Sequence, residues 1–446
     1  MKNQNKRVLA LVSACFFIYL LVSIIFKVFS LSWEPFDRIN LIADVFPDKE
    51  DKEKQKADSL ASQPKINVKE TTEQDFDLYK KPEFITNFNK GEHSSLPKFM
   101  EKLNRLKKGE NVKIRIAYFG DSMIEGDLLT QTLRKLLQQE YGGYGVGYLP
   151  ISSNVAGFRQ TATTSASGWN DTSFKTKGAT NMYLSGHYFT GDGSGSYTDN
   201  TIKNDSLATP ITKSVIYGRG GGSVSVNGTE LSLGGNASVN KESITDSSHQ
   251  IKLKGNAGST PIYGVSFESQ KGIFLDNFSF RGITGVELNK LDEDFIKAIQ
   301  ENNHYDLIVL QYGVNLLFRP NDTDYSYYAK LMKPVLAKLK NGFSDADFLV
   351  VSSADRAFRY DGTYKTAKGL PNLLETQAQL AIENGFAFYN QFESMGGTNS
   401  IVKWANETPP LANKDYVHPN GKGADILAEK IYHAIQNDYK KYLKKK

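Results

Sequence analysis

A single cysteine, Cys15, is present in 446 residues, so the chain can close no internal disulfide and build no thiolate metal site. The six histidines are scattered, with no H-x-x-x-H or H-E-x-x-H spacing. A metal-dependent mechanism is therefore disfavoured, and no cofactor is implied. Charge of one sign is scarce as well. The 54 basic and 49 acidic side chains leave only +5, part of it terminal, in Lys2, Lys6, Arg7 and the closing lysines. No basic stripe with interleaved aromatics exists, so nucleic acid is not an expected partner. Residues 218–222 (GRGGG) lack a following G-K-[ST] and do not make a phosphate loop.

Long apolar runs are equally rare, and the first one decides the compartment. Residues 8–26 carry no charge, close to the roughly 20 residues that a spanning helix needs. Lys2, Lys6 and Arg7 precede this run, which favours a cytoplasmic segment 1–7, a transmembrane anchor at 8–26 and the remainder outside the inner membrane of a bacterium. Two alternatives stand beside the anchor. One is a cleaved signal peptide, although no small-residue cleavage site is evident. The other is a lipoprotein, since residues 12–15 (VSAC) resemble a lipobox ending in Cys15. The apolar run continues for eleven residues past Cys15, as a spanning helix would. Residues 48–75 are charged and poor in large apolar side chains, and residues 27–75 are expected to form a flexible spacer.

The rest of the chain reads as an α/β body with an all-β interruption. Leu96, Met100, Leu103 and Leu106 recur at helical spacing, with Gly109 as the stop. Residues 112–119 (VKIRIAYF) suit a strand covered on both faces, and a turn, Gly120-Asp121-Ser122, leads on to a helical stripe at 128–140. From about 152 to 270, glycine, serine, threonine and asparagine dominate. Short alternating runs appear at 214–217, 223–226, 250–253 and 262–267, the pattern of an inserted sandwich or jelly-roll module. Strands at 307–311, 348–352 and 386–389 then alternate with helices at 325–339, 373–384 and 423–436. That rhythm predicts a three-layer αβα domain with a parallel sheet, built from residues 76–151 and 271–446.

In such sheets reacting groups gather at the carboxyl ends of strands, and four segments fall there. Ser122 sits on the turn after the first strand, where a helix N-terminus would suit a developing oxyanion; an ordinary N-cap is the competing explanation. Asp415 and His418, in D-Y-V-H, offer a general base and a carboxylate to fix its tautomer. Asn315, in Gly313-Val314-Asn315, and Gly285, in Ile283-Thr284-Gly285, offer a side-chain amide and an unobstructed backbone N–H. Singly each is weak. In this order they resemble the SGNH hydrolases, the GDSL esterase superfamily. That resemblance implies a flavodoxin-like fold, a catalytic triad of Ser122, Asp415 and His418, and an oxyanion hole of Ser122 N–H, Gly285 (with Gly282 a weaker candidate) and Asn315. Leu316 stands where the family often has Asp after the Asn.

The helix-Lys-Lys-Gly lead-in, residues 117–127 (AYFGDSMIEGD) and the T-L-R-K-L-L helix look like bacterial peptidoglycan O-acetylesterases, which carry a carbohydrate-binding-module-like insertion at this point. The resemblance spans about 96–433 and implies an O-acetylesterase acting on an acylated cell-wall or surface glycan. An O-acetyltransferase using the same triad and a non-catalytic glycan-binding or envelope-assembly protein are the alternatives. Tyr312, Asp355 and Arg356, near strand ends, are candidates to line a substrate pocket, although an Asp355–Arg356 ion pair explains the last two as well. Glu125 and Asp127 are read as carboxylates favoured at a helix start. Trp169, Tyr183 and His187 would either stack on sugar or fill the core of the insert.

Overall fold

The computed structural model describes residues 2–28, 73–91, 93–202 and 210–444. Contacts divide the chain at residues 71 and 72 into two units. In the first, helix α1 (Lys2–Val28) contains residues 8–25, long and apolar enough to cross a membrane. A single-pass anchor and a signal peptide both fit such a helix. Most of the expected spacer lies outside the described residues. Its end belongs to the second unit, where Gln74 pairs with Asn89.

The second unit is organised on a six-stranded sheet. Its strands are β1 (Ile85–Thr86), β2 (Lys113–Gly120), β3 (Gly272–Ser279), β4 (Leu307–Gln311), β5 (Asp347–Val351) and β6 (Ala387–Tyr389), in the spatial order β1-β6-β5-β4-β2-β3. All neighbours are parallel except the edge pair β1 and β6. The period-2 alternation of a strand sends Ile114, Ile116 and Tyr118 to one buried cluster and Ala117 and Phe119 to the other. Helices cover both faces. Leu103 of α2 (Pro97–Lys107), Leu137 of α3 (Thr130–Tyr141) and Ile431 of α9 (Gly421–Lys444) join the first cluster. Ile299 of α4 (Glu293–Asn303), Leu336 of α5 (Ser326–Gly342) and Ala378 of α6 (Leu370–Asn384) join the second. Two shorter helices, α7 (Gln391–Met395) and α8 (Ser400–Asn406), lie between β6 and α9 in the chain.

Chain order and spatial order part company at β2. From it the chain steps outward to β3, then returns to the other side as β4. Such a switch point opens a crevice at the carboxyl ends of the flanking strands.

Between β2 and β3 the chain makes two antiparallel sheets. One runs Thr229–Ser232, Ser223–Val226, Gln250–Asn256, Ser194–Asp199, Ala162–Ser167. The other runs Asn240–Asp246, Ile211–Tyr217, Ile262–Glu268, His187–Thr190, Asn170–Ser173, with Gly147–Leu149 also paired to Ile262–Glu268. The pairing of Gly147–Leu149 draws residues ahead of 152 into these β strands. Tyr197, Val224, Ile251 and Leu253 of the first sheet meet Val215, Tyr217, Val265 and Phe267 of the second in one buried cluster. The opposite face of the second sheet packs on the parallel-sheet body. There Tyr148 lies 5.2 Å from Phe278 and Tyr263 lies 5.6 Å from Phe295, centroid to centroid. Aromatic pairs of this kind each contribute about 0.5–1.5 kcal/mol beyond their burial.

Candidate active site

β2 ends at Gly120, and the chain turns sharply through Asp121 and Ser122. The turn is pinned by the Asp121 carboxylate, whose Oδ1 accepts from Met123 N–H at 2.9 Å. As the helical stripe at 128–140 leads one to expect, no helix starts directly after Ser122. A short 3-10 turn, Glu125–Asp127, intervenes, and α3 begins only at Thr130. Asp127 and Leu129 both take positive φ, 68° and 63°, which interrupts the helix. Asp127 is not a dipole-stabilised helix-start carboxylate either. It is fully buried and accepts from both Arg134 nitrogens, at 2.7 and 2.8 Å, and from Thr130. Burial alone would raise this carboxyl, but the Arg134 and Arg159 guanidiniums hold it well below the usual range. Glu125 pairs with Arg281.

The histidine comes from the far end of the chain. Asp415 to His418 form a tight loop before α9, in which Tyr416 has φ 58°. Asn413 N–H donates to His418 O at 2.9 Å, and Asn420 Nδ2 to Pro410 O at 2.7 Å. A hairpin, Ala357–Tyr360 with Thr363–Thr366, clamps the outside. Ala357 N–H donates to Tyr416 O at 3.0 Å, and the Tyr364 and Tyr416 rings lie 4.1 Å apart. So held, His418 Nε2 lies 2.9 Å from Ser122 Oγ, and its Nδ1 lies 2.7 Å from Asp415 Oδ2. The other oxygen of Asp415 accepts from Val417 and His418 N–H at 2.9 and 3.1 Å. Partial burial raises the Asp415 carboxyl, but the His418 hydrogen bond and these two amides outweigh it and leave it below its ordinary value.

Asn315 follows β4, across the switch point from Ser122. Its Nδ2 donates to Asp121 Oδ2 at 3.0 Å and to Ile283 O at 2.9 Å. Both amide hydrogens are engaged, so donation to an oxyanion would displace one of these two bonds. Asp121 itself is 1% exposed, and burial pushes its carboxyl up to about 7 against the pull of Met123 N–H, His418 and Asn315. Sequence reasoning passed over this group, because an aspartate in a turn is ordinary. Gly285 adopts φ 93°, and a Cβ there would lie 2.8 Å from Tyr312 Cδ2. Glycine is required on both counts. Gly282 also has positive φ, with open space around it.

The three candidate lining residues separate. Tyr312 is 3% exposed, its ring filling the space beneath Gly285. Asp355 is fully buried and accepts from Ile401 N–H at 3.0 Å and from Ser400 and Thr366 hydroxyls, tying down the start of α8. Tyr312 also borders a small cavity with Leu310, Tyr328 and Gln377, whereas Asp355 turns towards α8 and forms no ion pair with Arg356. Arg356 is half-buried, donating to Val314 O at 2.7 Å beside the Asn315 loop. Between β2 and β3, Tyr183 is core, whereas His187 is half-buried, its ring stacked on Phe280 at 5.1 Å.

No protein-family model matches the sequence, and no curated protein matches it. Solved structures do. A peptidoglycan O-acetylesterase superposes with TM-score 0.67 at 22% identity, over 80% of this chain and 99% of that one. The chain shares the fold of that O-acetylesterase. An acetylxylan esterase from Geobacillus stearothermophilus (18% identity, 37% of this chain and 73% of that one, TM-score 0.28) is matched more locally. So is a family two carbohydrate esterase from Cellvibrio japonicus (10%, 63% and 99%, 0.28). At such scores neither carries an argument about this chain.

Proposed function

We propose that the chain is an extracytoplasmic serine esterase that removes O-acetyl groups from a cell-wall or surface glycan. The observation that carries this is the hydrogen-bonded line from Ser122 Oγ through His418 to Asp415, seated beside the switch point of the sheet. His418 Nε2 takes the Ser122 proton as Oγ attacks the ester carbonyl. Asp415 keeps the Nδ1 hydrogen in place and stabilises the imidazolium that forms. The oxyanion rests on Ser122 N–H, Gly285 N–H and Asn315 Nδ2. The protonated imidazole then releases the sugar hydroxyl, and water hydrolyses the acetyl-enzyme by the same relay.

In the same reading α1 is an uncleaved anchor with residues 1–7 in the cytoplasm, and residues 27–75 space the catalytic body from the membrane. The two antiparallel sheets form an inserted sandwich module that helps present a carbohydrate. Acetate release from purified O-acetylated peptidoglycan tests the function. Ser122→Ala should lower it to background while leaving the thermal unfolding midpoint within a degree or two. Full activity in that variant would remove Ser122 as nucleophile.

A further inference from the structure

Three loops bring the reacting groups together. Asp121 ties the Ser122 turn to Asn315 at 3.0 Å, and Ser122 Oγ meets His418 at 2.9 Å. The segment that follows β5 joins the Asn315 loop to the His418 loop. It leaves the sheet and folds back as the hairpin Ala357–Tyr360 with Thr363–Thr366. Its two-residue turn is Asp361-Gly362, with φ 47° and 83°, the positive values that suit hairpin twist. The base of the hairpin is fixed to the body. Asp355 accepts from Thr366 and from Ile401 N–H. Thr366 N–H donates to Asn399 Oδ1 at 2.9 Å, and Asn399 N–H donates back to Thr366 Oγ1 at 2.7 Å.

From this base contacts reach both ways. Towards Asn315, Arg356 Nη1 donates to Val314 O at 2.7 Å, one peptide ahead of the amide side chain, and the Tyr360 hydroxyl donates to Pro320 O. Gly313 packs so tightly here that a Cβ would lie 2.4 Å from Ser353 Cβ. Towards His418, Ala357 N–H donates to Tyr416 O at 3.0 Å, and the Tyr364 and Tyr416 rings lie 4.1 Å apart. Tyr416 keeps φ 58°, a conformation that a tyrosine holds only where its surroundings over-determine it. Arg356 addresses both loops at once. Burial pushes its guanidinium down, while the charge of Asp415, on the opposite loop, pulls it up. Half-burying a cation to hold one backbone carbonyl is costly where a neutral donor would serve. That cost points to a requirement on where the carbonyl, and Asn315 after it, must lie.

We infer that Arg356 and Tyr364 are positioning residues that lock the Asn315 loop and the Asp415–His418 loop in one register, Arg356 acting through Val314 and Tyr364 through Tyr416. The inference rests on the esterase reading and adds to it a dependence of turnover, not of substrate binding, on this hairpin. Turnover of 4-nitrophenyl acetate by the full chain in detergent tests it. Displacing a reacting group by about 1 Å can cost on the order of a hundredfold. Arg356→Gln and Tyr364→Ala should each lower kcat by about tenfold or more and leave KM within about twofold. Arg356→Lys should restore part of the first loss, and Tyr364→Phe, which keeps the ring, most of the second. Double variants separate the two routes. Beside Asn315→Ala, Arg356→Gln should cost less than about threefold more, since the donor that it positions is gone, whereas Tyr364→Ala should keep its full cost.

Parent-like kcat in Arg356→Gln, or a loss confined to KM, overturns the positioning role. An undiminished cost of Arg356→Gln beside Asn315→Ala overturns it too. Should Arg356→Gln fail to fold by circular dichroism, Tyr364→Ala, at a side chain 43% exposed, decides by its own kcat and KM. Ser122→Ala is assayed alongside. Turnover that does not depend on Ser122 sinks the esterase reading and the positioning role with it, whereas Ser122-dependent turnover indifferent to Arg356 and Tyr364 sinks the positioning role alone.

Discussion

Asp121 is the group on which stability and activity should pull apart. Its carboxyl is 1% exposed and rises from 3.8 to about 7, chiefly because burial penalises the charge. For a carboxyl whose folded-state value is raised, stability is fully present below pH 3.8 and is lost as pH climbs towards 7. Each unit of displacement corresponds to about 1.4 kcal/mol. At pH 5 roughly 1–2 kcal/mol of the cost is in place, and at pH 8 roughly 4 kcal/mol. Asp121→Asn keeps the shape and removes the charge, so its stability relative to the unsubstituted protein should improve by about 2–3 kcal/mol between pH 5 and pH 8. The amide keeps an acceptor for Met123 N–H but sets an NH₂ against Asn315 Nδ2, two donors facing each other. The same variant should therefore lose esterase activity, towards the hundredfold expected when an oxyanion donor is misplaced. Urea unfolding at several pH values, with 4-nitrophenyl acetate turnover measured in parallel, reads both effects. A stability difference that does not change between pH 5 and pH 8 would refute the assignment of a buried, titrating Asp121.

Asn315→Ala should cost on the order of a hundredfold in turnover. It should also cost about 1–3 kcal/mol in stability, because Asp121 Oδ2 and Ile283 O both lose their donor; unchanged acetate release would remove Asn315 from the oxyanion hole. Gly285→Ala places a methyl 2.8 Å from Tyr312 Cδ2 at φ 93°. A loss of about 1–3 kcal/mol is expected by chemical denaturation, with activity falling further as the Gly285 amide moves; a variant as stable as the parent would contradict the close approach.

Strand and helix periods made the αβα body legible from the sequence. Residues 307–311 and 223–226 coincide with observed strands, because burial on both faces or strict alternation leaves little ambiguity. Helix α4 escaped notice although Asp292 caps it, accepting from Phe295 N–H at 3.0 Å, and Phe295, Ile296 and Ile299 form its buried stripe. At the site, the short G-D-S and D-x-x-H motifs marked Ser122, Asp415 and His418 through the resemblance they carry. Contacts between distant segments left no such mark. Asp121 meets Asn315 from 194 positions away, and Arg159 meets Asp127 from a glycine- and serine-rich stretch without periodicity. Adjacent residues misled in the opposite direction. Asp355 and Arg356 are neighbours in sequence, yet one turns inward to α8 and the other outward to the Asn315 loop.

The short strand β1 has a bearing on how the parallel-sheet body can be isolated. It seals the exposed ladder of β6 by pairing Ile85 with Tyr389 and Thr86 with Phe388. Ser95 and Leu96 N–H, just beyond it, are fastened to the Asp438 carboxylate at 2.8 and 3.1 Å. A soluble fragment started downstream of residue 91 would unzip that border and present unsatisfied amides and carbonyls to any other chain in solution. The practical limit of truncation is therefore the Gln74–Asn89 bridge, well ahead of the Ser122 turn.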